Sequence, residues 1–124
     1  MVEDKIAELG RTRSGFKPNI AAVLAYALTV VTGTVMFIVE KENEYVRFHA
    51  VQAVLFGATW IILWILASIG TTVPIRVIGF VITDVILFVV ALGGFVLWLF
   101  LLYKAFRGER FKLPVLGNIA ERIM

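Results

Sequence analysis

Cysteine is absent from the chain, and histidine occurs once, at His49. The first absence excludes disulfides, thiolate metal sites and cysteine nucleophiles, and leaves the redox compartment open. One histidine without cysteines would have to borrow its other metal ligands from a solvated loop, so no metal site is expected. Charge is scarce too, at 17% of residues against 60% apolar, and the mean hydropathy is +0.94. That balance lies far outside soluble globular composition and describes a chain solvated by lipid. The sequence has no Gly-rich phosphate loop, paired-histidine motif or serine-nucleophile signature, so neither an enzyme nor a cofactor is expected. The net charge of +3 resides in the tails, where it suits anionic headgroups; nothing else supports nucleic acid as a partner.

The few charges are segregated. They crowd into residues 1–17, 40–47 and 104–122, with only Arg76 and Asp84 between the last two groups. Three apolar runs result. The expected fold is an all-α integral membrane protein with three transmembrane helices and an interfacial C-terminal segment, inserted in the cell membrane as a multi-pass protein. The chain reads as one membrane domain, 1–124: a tail over 1–19, spans over 20–39, 48–69 and 75–103, and a tail over 104–124. A cleaved signal is not expected, because the first 19 residues carry both signs and the first apolar run is long enough to span.

Val2, Ile6 and Leu9 have helical spacing before Gly10, which allows a short surface-lying helix; disorder is the alternative. In the first span Ala21, Ala25, Thr29 and Gly33 recur every four residues and form a small-residue ridge, leaving the Val23, Val30 and Phe37 side to lipid. Ala53 and Gly57 continue the theme on the second span. Assembly as a homo-oligomer through the Ala25, Thr29, Gly33 and Ala53, Gly57 faces is the expectation. Trp60 and Trp64 lie deeper than an aromatic belt requires and are expected to pack against another helix.

The second span ends at the helix-breaking stretch 70–74. In the third run the preferred helix covers 75–103, about 43 Å, and carries Asp84 inside the hydrocarbon at the depth of Tyr26 and Thr29. The competing register begins at Val85 and makes Asp84 a surface N-cap. With three spans, basic residues divide 7 to 5 in favour of the side holding the carboxyl tail, a thin margin for the positive-inside rule. An even number of crossings with one run re-entrant remains the other topology.

Two blocks carry a resemblance: Glu40-Lys41-Glu42-Asn43 with Val46-Arg47-Phe48-His49-Ala50-Val51-Gln52-Ala53, and the tail from Lys104 to Glu121 containing Phe111-Lys112-Leu113-Pro114. The chain resembles a family of small, uncharacterised prokaryotic multi-pass membrane proteins, distantly similar to the twenty-kilodalton Tic subunit of the chloroplast protein-import translocon. The resemblance implies no catalytic residue, and it implies a link to protein translocation or membrane-protein handling.

Three places could carry chemistry. Arg47, His49 and Gln52 form a polar mouth on the second span, suited either to an anionic headgroup or a proton, or to anchoring the helix start on loop carbonyls and the 40–44 carboxylates. Asp84, with Tyr26 and Thr29 as partners, would serve a small homo-oligomeric channel or proton-coupled transporter, or else only tie helices together. The tail over 108–124 reads as an extended interfacial strip ending in an Asn118–Glu121 capping pair, and serves either as a membrane anchor or as a docking strip for a protein partner. The functional expectation is a non-enzymatic assembling component, with the channel or transporter as alternative.

Overall fold

A computed structural model of the chain describes residues 2–69 and 78–123, with side chains at 4–69 and 82–123. Six helices and no strands occur among the described residues: α1 (Val2–Ala7), α2 (Pro18–Ala27), α3 (Val30–Val39), α4 (Glu44–Ile69), α5 (Ile78–Phe106) and α6 (Leu116–Ile123). Among the described residues, only α4 and the Ile82–Phe106 portion of α5 are long and apolar enough to cross a membrane. The chain therefore offers two candidate spans, and the expectation of three is corrected. The breaker stretch 70–74 and Arg76 lie outside the described residues.

The first apolar run is broken at residues 28–29. No Gly or Pro marks the break, but Thr29-Val30-Val31-Thr32 is a run of four β-branched residues, which lose side-chain freedom in a helix. Thr29 turns the chain with φ 42°, a region costly for a branched residue. The two ten-residue helices then run antiparallel, each about 15 Å long. The order of contacts proves the reversal. Asn19 Nδ2 donates to the Phe106 carbonyl (3.0 Å), Tyr26 meets His49 and Gln52, and Thr29 lies over Gly57. Gly33 then packs on Ala50 and Ala53, and Arg47 lies 4.2 Å from the Phe37 ring. Thus α2 climbs from the start of α4 to its middle, and α3 descends beside it.

Close approach makes this docking feasible. A Cβ on Gly57 would lie 2.5 Å from Thr29 Oγ1, and one on Gly33 would lie 3.0 Å from the Ala50 carbonyl oxygen. Ala21, Ala22, Ala25 and Ala53 are fully buried in the core that these helices share. The small-residue ridge is consumed within the protomer, which overturns its assignment to homo-oligomer contacts. Val23 and Phe37 likewise pack against the core rather than facing lipid alone.

The hairpin tip satisfies its own backbone. Thr32 Oγ1 accepts from Leu28 N and donates to the Ala25 carbonyl, both at 3.0 Å, while Trp98 Nε1 donates to the Tyr26 carbonyl at 2.7 Å. Irregular backbone at membrane depth is tolerated only when its polar groups are paired in this way. Across the long pair, α5 runs antiparallel to α4: Trp60 Nε1 donates to the Val90 carbonyl (3.2 Å), and Tyr45 Oη donates to the Ala105 carbonyl (2.6 Å). Trp60 packs as expected, whereas Trp64 is 43% exposed.

Candidate functional site: a buried polar junction at one end

All the polar segments gather at the end where α2 begins, α3 ends, α4 begins and α5 ends. Glu40, fully buried after α3, accepts from the backbone N–H groups of Arg13 (2.8 Å) and Ser14 (2.7 Å). Burial alone would raise its pKa, but those donors outweigh it and hold the carboxyl below its ordinary value. The Ser14 hydroxyl beside the carboxylate also favours the ionised form, without meeting hydrogen-bond geometry. Asn43 Nδ2 donates to the carbonyls of Leu9 (3.0 Å) and Arg11 (3.1 Å), and Asn43 Oδ1 accepts from Val46 N at 3.0 Å, capping α4. Lys104 and Lys5 flank Glu109 at 2.7 and 3.8 Å. The hydrogen bond from Lys104 holds the Glu109 carboxyl below its usual range.

Beneath this layer lies a buried chain of hydrogen bonds. Leu113 N donates to Gln52 Oε1 (2.9 Å), and Gln52 Nε2 donates both to the Phe111 carbonyl and to Tyr26 Oη, each at 2.8 Å. The backbone partners fix the amide orientation, because a flipped amide would set donor against donor and acceptor against acceptor. Tyr26 Oη, having accepted from Gln52, uses its one proton toward His49 Nδ1 at 2.9 Å. His49 is thereby the neutral tautomer protonated at Nε2. Nε2 is buried without a hydrogen-bond partner, and the ring is enclosed edge-on by Tyr26, Tyr45 and Phe48.

The structure brings His49 and Gln52 together with Tyr26, keeps Thr29 one turn away with its N–H donating to the Tyr26 carbonyl at 3.2 Å, and separates Tyr26 from Asp84. His49 and Gln52 are fully buried and do not form a mouth; they bond to Tyr26 and the C-terminal tail rather than to the 40–44 carboxylates. Arg47 is half-buried, its Nη1 directed at the Phe37 and Glu40 carbonyls (3.4 Å each) that end α3. Thr29 lies at the tip beside Gly57, and Ala25, Gly33 and Ala53 line the helix contacts. Asp84 stands apart from all of these. It is exposed and lies 20 residues, about 30 Å, along α5 from Lys104, the full thickness of the hydrocarbon. With Lys104 at one interface, Asp84 reaches the other, so its expected pairing with Tyr26 and Thr29 is corrected.

The tail departs from its expected form as well. Residues 111–113 fold back onto Gln52, and α6 packs on α4 with Ala120 buried against Phe48 and Val51. Asn118 falls inside α6, which starts at Leu116 after Val115 turns at φ 65°, so the Asn118–Glu121 cap does not form. Glu121 instead pairs with Lys112 at 2.7 Å. Tyr45 at the junction, and Thr32 and Trp98 at the hairpin tip, escaped the sequence reading. A polar atom every third or fourth residue in an apolar run, as at Tyr26, Thr29 and Thr32, was the available signal. Among the described residues, no three His, Asp or Glu side chains gather where a metal ion could be held.

Comparison with known proteins places the chain in a family. Residues 17–120 match the profile of the magnetosome magnetite crystal formation protein family. A UPF0132 membrane protein of Methanocaldococcus jannaschii is 42% identical over 115 residues, covering 92% of this chain and 94% of the relative. A UPF0132 membrane protein of Archaeoglobus fulgidus is 38% identical, covering 86% and 94%. A second from M. jannaschii is 36% identical, covering 87% and 71%. No solved structure matches the chain.

Proposed function

The chain belongs to the magnetosome magnetite crystal formation protein family, and from that premise we propose that it is a non-enzymatic membrane component acting through assembly, with its polar end as the working surface. In this topology α4 and α5 cross the bilayer, and the α2–α3 hairpin enters from one side and returns. Both tails and the 40–43 loop then share one side. Of the 12 Lys and Arg residues, all but Arg76 belong to that side, and Arg76 lies in the segment joining the two crossings. The margin of 7 to 5 under three spans becomes 11 to 1, and the positive-inside rule orients the polar end to the cytoplasm.

The observation that carries this reading is the Gln52 amide, which ties the C-terminal tail to the hairpin and to the first crossing. The three cytoplasmic segments become one folded platform rather than loose tails. Such a surface suits contact with other proteins, and membrane-protein handling, which the resemblance to the Tic subunit implies, is the class of work proposed for it. The transporter alternative finds less support, since Asp84 is exposed and remote from Tyr26.

Single cysteines test the topology in a chain that has none of its own. Positions 42 and 118 should react with an impermeant thiol reagent from the cytoplasmic side, position 71 from the other side, and position 28 from neither. Reaction of position 42 on the side of position 71 would sink the topology. Photo-crosslinkers at 42 and 118 test the assembly role: protein adducts in cells support it, and lipid adducts alone defeat it.

A further inference from the structure

The helices are distributed unequally between the two halves of the bilayer. From Phe48 to Ala53 no residue of α4 exceeds 6% exposure, because α2, α3, α5 and α6 surround it. From Ile61 to Leu66 every residue is between 43% and 60% exposed. Six consecutive exposed residues cover all faces of a helix, so among the described residues this half of α4 has α5 alone beside it. The transition falls at the hairpin tip. Thr29 meets Gly57, which lies 12 residues, about 18 Å, along α4 from Tyr45, close to the midplane of a bilayer whose hydrocarbon is about 30 Å thick.

We infer that the protein is a leaflet-selective wedge, an activity that bends membrane, and concentrates in membrane, convex toward the polar end. Among the described residues, the leaflet on the polar side accommodates four helical segments and the opposite leaflet two. At a helix diameter of roughly 10 Å, the difference is about 160 Å² of cross-section in one leaflet alone. The mismatch is stable because the hairpin cannot extend across the bilayer without breaking its ties. Thr32 and Trp98 close the tip, Tyr26 is bonded to His49 and Gln52, and Glu40 binds the segment that precedes α2. Near the headgroups α6 adds to the wide end. It packs Ala120 on α4 and keeps Ile119 and Ile123 exposed, an amphipathic arrangement of the kind that senses lipid packing. The partner is the bilayer itself, and the inference rests on the topology proposed above.

The test uses giant vesicles of phosphatidylcholine and phosphatidylglycerol containing Glu42→Cys protein labelled from outside with an impermeant dye. Only molecules with the polar end outward are then visible. A tube pulled outward is convex on that side, so the tube-to-flat density ratio should exceed one and rise as the tube narrows. Thr71→Cys protein, labelled the same way, reports the opposite orientation and should be depleted from the tube. Equal densities for both, as a partner helix covering residues 61–66 would produce, overturn the wedge. Enrichment of both orientations overturns it as well, because the asymmetry would not be setting the sign. Failure of the underlying topology is seen separately, at the labelling step, if positions 42 and 71 of one molecule are accessible from the same side.

Discussion

Tyr26 Oη and His49 Nδ1 lie 2.9 Å apart and join the α2–α3 hairpin to α4. The hydroxyl carries one proton and already accepts from Gln52, so removing it strands two buried groups at once.

Tyr26→Phe should therefore destabilise the protein by about 1–3 kcal/mol, read as a lower thermal midpoint in detergent. His49→Phe should cost less, since it strands only the tyrosine hydroxyl and removes a ring nitrogen that is already without a partner. The reverse order would show that His49 Nε2 has a buried acceptor of its own, such as the Glu109 carbonyl.

Gln52→Leu should act on the tail rather than only on global stability. It strands the Leu113 N–H and the Phe111 carbonyl together, the two backbone groups holding residues 111–113 against α4. Limited trypsin digestion should cleave after Lys112 or Arg110 faster by several-fold, with the α4–α5 core intact. Unchanged cleavage would mean that α6 packing alone retains the tail.

Gly57→Leu should expel the hairpin tip, because the first added carbon already lies 2.5 Å from Thr29 Oγ1. Thr29→Gly should do the opposite, relieving a threonine at φ 42° and making room at the same contact. Thermal midpoints should fall for the first and rise or hold for the second. In the double variant, Thr29→Gly should recover part of the Gly57→Leu loss.

The Glu40 clasp is pH-dependent in a defined direction. Its folded-state pKa lies below the ordinary 4.5, so its stabilisation is fully present above that value and is lost as pH falls through the lower folded pKa. Glu109, lowered by Lys104, contributes with the same sign. The Arg13 and Ser14 amide resonances should titrate with a midpoint below 4.5, and Glu40→Gln should abolish that titration. A midpoint above 4.5 would mean that burial outweighs the donors.

Asp84→Asn should leave the thermal midpoint within about 0.5 kcal/mol of stability, because Asp84 is exposed at the end of α5 remote from the junction. A large loss would show that Asp84 has a buried partner, the condition the transporter reading requires.

Composition and charge segregation alone pointed to a helical chain in a membrane, because 60% apolar residues gathered into three runs nearly free of charge exceed what a soluble core of this size accommodates. Residues 48–69 and the end of the third run could be read as helices by length, but the start of α4 at Glu44, inside the charged stretch, could not. The importance of Gln52 and His49 could be read from their rarity in an apolar setting. The course of residues 20–39 could not, because a run without Gly or Pro satisfies the length rule for a span whether it crosses or turns back. Its reversal depends on contacts distant in sequence: Gly57 making room for Thr29, Trp98 capping the Tyr26 carbonyl, and Gln52 and His49 receiving the Tyr26 hydroxyl. These also decide which ends of the chain share a side, and hence the charge count that orients it. Periodicity reports only which face of a helix is apolar; the partner that covers that face is chosen by tertiary packing, which is why the small-residue ridge pointed to a second copy and was filled by the chain itself.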